Sequence, residues 1–513
     1  MKDGKRATIF SASSTDSTVH QSGSPNDDTI FARQPIVKSM AKTTFQLLLT
    51  LLTSAALSGA LPAQSTFSFG ADLSYVNEME DCGAVYKENG QPKDPYQVFA
   101  DHHCNLVRLR LWHTPAWYDT LNNGQRYADL ADVRQSIQRA KAAGMRVLLD
   151  FHLSDTWADP SHQRAPAAWL GVVDNLPLLK DSLYNYISAT LLSLHSEGLL
   201  PDMVQIGNET NKGILLSPAA DAVWTLDWNR NSQLFNRAIQ AVRDVENSTG
   251  QPIEVALHIA GPADAGWLMQ GFWSHGVTDF DVIGLSYYWA WHQPTSIADA
   301  GNVVAQLHQT YPGKKVMVFE TGYIWTTANN DNANNILNVV NASYAPASPA
   351  QQRQWLIDLT QEVIDKGGSG VIYWEPAWVS TSCWTPWGQG SHGENAAFFD
   401  FDNNLLPDGG LFFMSHEYSG LSPAAEPARS ARRFEVWPDS GRRALQLRFE
   451  GYPDEALRIE LLSADNRLIL SREATPAETV SIALPELAPG IYYVVVRGKS
   501  GAAGMRGVFL GGK

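Results

Sequence analysis

Between residues 66 and 420 the chain repeats one texture, a short apolar run rich in β-branched residues followed by a longer amphipathic stretch. The short runs are 68–73, 106–111, 146–151, 203–207, 253–258, 282–286, 315–319 and 370–373. Runs of this length bounded by turn residues read as buried strands. Between them, 130–143, 178–195, 232–246 and 350–366 carry apolar residues at helical spacing. Strands separated by helices pair in parallel through right-handed crossovers. Eight such units over about 350 residues predict an α/β fold, a (β/α)8 TIM barrel with enlarged loops. A doubly wound open sheet is the alternative. It is disfavoured because no glycine-rich phosphate-binding pattern follows the first strand.

The texture changes after a Pro- and Ala-rich linker at 421–433. Seven short alternating runs follow at 434–437, 444–449, 457–462, 467–470, 479–484, 491–497 and 504–510, with turn signals such as Pro438-Asp439-Ser440-Gly441 between them. They predict a small all-β sandwich over 434–513. At the other end, 1–39 is polar and aperiodic and reads as an extension upstream of the biological start, too polar to fold. Met40-Ala41-Lys42, an apolar run to Leu57 and the small residues 58–63 have the layout of a signal peptide, so 40–63 is expected to be removed on export.

Composition narrows the function. The 513 residues include 53 acidic and 38 basic side chains, a formal net charge of −15. That excess disfavours nucleic acid and an anionic membrane surface as partners. No apolar span in the body is long enough to cross a bilayer. Three cysteines, Cys82, Cys104 and Cys383, exclude a disulfide scaffold and a four-cysteine zinc site. They allow one bridge and one thiol, and whether Cys82 pairs with Cys104 is left open.

In a barrel of this kind the chemistry collects where the strands end. Those ends carry Asp72; Arg110 and Trp112; Asp150, His152 and Asp155; Asn208-Glu209; His258; Tyr287-Tyr288; Glu320; and Trp374-Glu375. Glu209 and Glu320 each terminate an apolar run and should point into the mouth. Two such carboxyls are what glycoside hydrolysis needs, one protonated to release the leaving oxygen and one ionised to attack the anomeric carbon. Arg108 and Arg110 share a strand face, and Arg110 is the candidate cation for the ionised carboxylate, with Tyr287 as a hydrogen-bond donor to it. Glu375 is a weaker third carboxyl. His152 lacks a second histidine at ligand spacing, so metal-assisted hydrolysis is the weaker chemistry.

At these residues the chain resembles glycoside hydrolase family 53, the arabinogalactan endo-β-1,4-galactanases. The resemblance rests on 70–74 (GADLS), 107–112 (VRLRLW), 150–160 (DFHLSDTWADP), 205–209 (QIGNE), 284–288 (GLSYY), 320–323 (ETGY) and 373–378 (YWEPAW). It implies a retaining double displacement in which Glu209 is the acid/base and Glu320 the nucleophile, with the carboxyls about 5–5.5 Å apart. It implies that Asn208 holds the sugar 2-hydroxyl and that Trp374 stacks beneath the sugar beside the cut. Asp72, Arg110, Trp112, His152, Asp155, Trp157, Tyr287 and Tyr288 line the cleft. No organic cofactor is required. The loop after the seventh strand, where bacterial members often hold Ca2+, offers here only Asp331 among many asparagines, a poor hard-cation set. The run Trp289-Ala290-Trp291-His292-Gln293 departs from the family pattern.

The tail resembles the C-terminal sorting domain of type IX secretion, through Val436-Trp437-Pro438-Asp439 and Leu487-Ala488-Pro489-Gly490-Ile491-Tyr492-Tyr493-Val494. That implies export to the medium or cell surface of a Gram-negative bacterium, with the secretion machinery as a partner and a polysaccharide as substrate. A carbohydrate-binding module is the alternative for the tail. For the whole chain the alternatives are the same chemistry on mannan, xylan or glucan, and a non-catalytic sugar-binding surface protein.

Overall fold

The computed structural model describes residues 67–421 and, in the C-terminal region, 433–439, 443–450, 456–463, 467–475, 479–488, 490–497 and 503–510. The extension, the signal peptide and nearly all of the linker lie outside the described residues.

Eight strands close into one parallel barrel: β1 (Ser68–Asp72), β2 (Leu106–Leu111), β3 (Arg146–Phe151), β4 (Met203–Ile206), β5 (Glu254–Ala260), β6 (Val282–Ser286), β7 (Lys315–Thr321) and β8 (Gly370–Tyr373). β1 pairs with both β2 and β8, which completes the ring. Helices α1 (Pro95–Asp101), α2 (Leu130–Ala142), α3 (Leu176–Ser196), α4 (Trp228–Thr249), α5 (Pro262–Ser274), α6 (Ile297–Thr310) and α7 (Pro349–Asp365) follow β1 to β7 in turn. A 3-10 turn at Gly410–Phe413 stands in the place of an eighth. The helix starts are written in the sequence. Asp129, Asn175, Asp227 and Ser348 accept backbone N–H groups as N-caps, and Ser296 forms a reciprocal capping box with Asp299.

Alternation along the strands sorts side chains into two cores. Leu106, Leu148, Met203, Ala256, Val282, Met317, Phe319 and Ile372 fill the barrel interior. The other face packs on the helices, where Leu183, Leu234, Leu268, Trp355 and Leu359 are buried. Above the interior apolar layer the inward positions turn polar, and that change of layer makes the site. The barrel call from the sequence is met, with strand edges displaced by one or two residues.

The C-terminal region forms two antiparallel sheets. Strands β9 (Arg433–Asp439), β10 (Ala444–Glu450) and β13 (Val480–Ala483) make one. The other contains β11 (Leu457–Ser463), β12 (Leu468–Ala474), β14 (Gly490–Arg497) and β15 (Ala503–Leu510). Phe434, Leu447, Ile459, Ile482 and Val494 from both sheets share one core. All seven expected strands are present.

One bridge joins Cys82 to Cys383, and Cys104 is a buried free thiol. The open question of a Cys82–Cys104 pair is thereby answered. Cys104 sits just before β2, its thiol donating to the Leu106 carbonyl, while the β1 and β8 loops bring the distant pair together.

Candidate active site

Arg108 organises the floor of the mouth. It points inward from β2 and is 1% exposed. Its Nε donates to Gln205 Oε1 (3.0 Å), Nη1 to Asp72 Oδ2 (2.8 Å) and Nη2 to Asp150 Oδ2 (3.0 Å) and Asn208 Oδ1 (2.6 Å). Nη1 also pairs with Glu320 Oε1 at 2.8 Å. Five partners saturate the guanidinium and fix its orientation.

Glu320 reaches this cation through an irregularity. The β6–β7 register shifts between Leu285 and Ser286, where Ser286 comes to face Glu320. Phe319 fills the interior core and Glu320, the next residue, also faces Arg108. A bulge re-aims one side chain out of alternation in this way. Gly284 makes room beneath it, since a Cβ there would lie 2.3 Å from the Phe319 ring. Glu320 Oε2 accepts from the Tyr288 hydroxyl at 3.0 Å. Burial pushes the Glu320 carboxyl up, to about 7, while Arg108 and the Tyr288 hydroxyl pull against that rise.

Glu209 sits beyond the end of β4 on a sharp turn. Gly207 and Glu209 both have positive φ (73° and 46°). At Gly207 a Cβ would meet Thr210 Cγ2 at 2.7 Å, so glycine is required there. The buried Gln163 amide holds the turn by donating to the carbonyls of Asn208 (2.7 Å) and Glu209 (3.1 Å). Burial first, and then the charge of Glu320, push the Glu209 carboxyl up, to about 8. The two carboxyls therefore feel one another in one mouth, and only Glu320 is paired with a cation.

Other expected residues fall into place around them. Asp72 and Asn208 are buried against Arg108. His152 gives its Nδ1 to Asp150 (2.7 Å), and its buried Nε2 has no partner. Trp374 meets Trp157 and Tyr288 edge-on at 5.9 and 6.5 Å between ring centroids.

Several expectations need correction. Arg110 does not serve Glu320. It pairs with Glu375 (2.9 Å) one layer higher, its guanidinium lying against the rings of Tyr75, Trp112 and Trp157 at 4.2–4.8 Å. Tyr287 points outward to the helices, donating to the Thr295 carbonyl and stacking on Trp355. Ser286 and Tyr288 share the inward face, and strand alternation puts Tyr287 on the other. Trp112 is fully buried behind Arg110 and Trp157, so it supports the cleft wall from behind. Asp155 accepts the backbone N–H groups of Thr114 and Ala167, which ties two loops together. Asp331 likewise accepts from Ala333 and Ser391, joining the β7 and β8 loops. Among the described residues no group of three His, Cys, Asp or Glu side chains is placed to hold a metal ion. Ser286 and Gln163 were missed in the sequence, and Arg108 and His258 were named there, on the second strand's inward face and at a strand end, without being given a role. The Arg108–Arg110 alternation and the polar strand ends carried the signal for Arg108 and His258, and the polar residue closing the apolar run 282–286 was the available signal for Ser286.

The profile of glycosyl hydrolase family 53 matches residues 68–412. The chain belongs to this family. The arabinogalactan endo-beta-1,4-galactanase of Cellvibrio japonicus is 47% identical over 380 residues, 73% of this chain and 98% of that protein. The endo-beta-1,4-galactanase of Bacillus subtilis is 34% identical, covering 66% of this chain and 84% of its own length. Among solved structures, the family 53 catalytic domain of Ignisphaera aggregans superposes with a TM-score of 0.60 at 33% identity, covering 70% of this chain and 98% of that one. The expected family and barrel are thus both met, and the protein is a glycoside hydrolase.

Proposed function

We propose that this family 53 enzyme is an endo-β-1,4-galactanase that cuts the galactan side chains of pectic arabinogalactan by a retaining double displacement. The observation that carries the reading is the unequal pair in the mouth. Glu320 is ion-paired with Arg108 and bonded to Tyr288, whereas Glu209 lies beside it with no cation of its own. The first arrangement favours the anion that attacks the anomeric carbon. The second keeps the proton that the leaving oxygen takes. Glu209 then returns as base to activate water. Arg108 faces three carboxylates, Asp72, Asp150 and Glu320, so the mouth keeps a negative excess that suits a positively charged, oxocarbenium-like transition state.

Asn208, held between Arg108 and Ala158, is the group for the 2-hydroxyl, and the unpartnered His152 Nε2 is an acceptor for another sugar hydroxyl. Trp374 and Trp157 supply the apolar wall. No organic cofactor enters, since water is the final acceptor. The names and near-complete coverage of the relatives support galactan over mannan, xylan or glucan. The layout of residues 40–63 supports export, and the sandwich tail supports passage through a type IX secretion system. No helix among the described residues is long and apolar enough to cross a membrane.

The test is hydrolysis of linear β-1,4-galactan beside mannan, xylan and β-glucan, with products resolved by size. Short galacto-oligosaccharides from galactan alone are expected. Glu320→Gln should lower kcat by at least about a thousandfold while oligosaccharide affinity remains. Cleavage of a different glycan would overturn the substrate, and full turnover by the variant would overturn the nucleophile.

A further inference from the structure

Glu209 stands on a backbone that must be held in place. Its φ of 46° lies in the left-handed region, which a side chain with a Cβ disfavours, and such a residue persists only where its surroundings over-determine it. On the β5 side, Thr210 donates through its N–H and its Oγ1 to the His258 carbonyl, both at 3.0 Å. The Asn211 side chain bonds the Ala260 carbonyl (2.9 Å) and N–H (2.8 Å). These ties fix residues 210 and 211 to the sheet, whereas the Glu209 N–H lies 3.4 Å from His258 Nδ1. Across the turn, the buried Gln163 of the β3 loop points its carboxamide nitrogen at three carbonyls, those of Asp159 (3.0 Å), Asn208 (2.7 Å) and Glu209 (3.1 Å). A carbonyl only accepts, so the sense of the amide is fixed and its two hydrogens are shared among the three.

Gln163 is itself seated by the loop it holds. Its N–H donates to Asp221 Oδ1 (2.6 Å), and its carbonyl accepts the Leu216 N–H (2.7 Å). The buried Lys212, three residues after Glu209, lies 3.3 Å from the same Asp221 oxygen and donates to the carbonyls of Ser161 (2.7 Å) and Asp221 (2.6 Å). The β3 and β4 loops are thereby closed into one clamp around the Asn208–Glu209 turn. We propose that Gln163, seated by Asp221 and Lys212, is a positioning residue for Glu209 and aims its carboxyl at the oxygen of the scissile bond. The inference rests on the acid/base reading of Glu209.

A residue that acts only through the acid/base has a distinct kinetic signature. In the first step Glu209 gives its proton to the leaving oxygen while the glycosidic C–O bond breaks and the Glu320 carboxylate bonds to the anomeric carbon. A departing sugar needs that proton, because its alkoxide is a poor leaving group. A dinitrophenolate departs without it. In the second step water adds to the anomeric carbon, the bond to Glu320 breaks, and Glu209 takes the proton of that water, whatever group left before. Loss of aim should therefore slow the first step on galactan, spare it on a dinitrophenyl glycoside, and slow the second step on both. Glu320 takes its bonds from Arg108 and Tyr288, so the nucleophile keeps its place when Gln163 changes.

The experiment removes the amide without shortening the side chain. Gln163→Met keeps the length and roughly the volume and loses both donors. Gln163→Glu, isosteric and unable to donate when ionised, is the second variant should the first fail to fold. Each is compared with the unchanged full chain on linear β-1,4-galactan and on 2,4-dinitrophenyl β-1,4-galactobioside. On galactan kcat/KM should fall about a hundredfold. On the dinitrophenyl substrate kcat/KM should stay within about threefold while kcat falls. Equal losses of kcat/KM on the two substrates would mean that Gln163 merely supports the mouth, and no loss on either would mean that the turn holds without it. Each of those results overturns the proposal. Glu209→Ala separates the two readings. Loss of galactan turnover, with kcat/KM kept on the dinitrophenyl substrate and kcat there restored by azide in place of water, upholds the acid/base. If that holds while Gln163→Met gives equal losses or none, the positioning role alone fails. If Glu209→Ala keeps full turnover of galactan, the acid/base reading fails first.

Discussion

Arg108 is the residue on which the site depends, because a buried cation with five partners leaves each of them exposed to its loss. Arg108→Ala should cost about 3–5 kcal/mol in stability, by chemical denaturation, as three buried carboxylates lose their counter-charge. The same change should raise the Glu320 carboxyl further and move the acidic limb of the activity profile to higher pH. Arg108→Lys keeps one charge but not the fork, and should recover only part of either effect. The sequence placed both arginines inside the barrel, but not their depth. One layer separates Arg108 from Arg110, and only the closed ring shows that the lower one meets Glu320. Tyr287 and Tyr288 were more legible. Period-two alternation from an inward Ser286 already makes Tyr288 the inward tyrosine. The bulge that delivers Glu320 beside the inward Phe319 leaves no mark in a string of apolar residues.

At the level of elements, all eight barrel strands could be read from their apolar runs, since parallel strands buried on both faces are nearly continuous in hydrophobic residues. Helices α5 and α6 were harder. Each contains glycine at a contact: Gly271 lies under Trp228, and Gly301 against Glu362. Close packing there required residues that weaken the helical signal. The loops were least legible, because their order comes from distant partners. The bridge between Cys82 and Cys383 spans 301 residues and holds the β8 loop, with its hairpin of Trp384–Thr385 and Gly388–Gln389, against the β1 loop. Cys383→Ser should lower stability by about 2–5 kcal/mol, seen as an earlier thermal transition that added reductant no longer shifts. A transition unchanged from the parent protein would show that the loops are held by their hydrogen bonds alone.

For the whole molecule, Glu209, the proposed acid/base, is a stability liability at neutral and higher pH. Glu209 is raised from 4.5 to about 8 in the folded state, so between those values the folded chain holds a proton that the unfolded chain has lost. That contribution is complete below about pH 4.5 and is lost as pH rises through about 8. Glu209→Gln should therefore melt at higher temperature than the parent at about pH 8 and show no such gain at about pH 4, by calorimetry at both. The barrel and the sandwich have separate cores. A chain ended at residue 421 should keep its kcat/KM on galactan, whereas a loss of folding would show that the tail completes the barrel. The bridge also sets an order on maturation. Cys82 is made long before Cys383, with Cys104 as the nearer candidate partner. Once the barrel forms, Cys104 is buried and its thiol is pushed up to about 12, out of reach of exchange. A mispaired early bridge would keep Cys104 from that burial and β2 from seating, so closure of the ring itself selects which two of the three sulfurs end up joined.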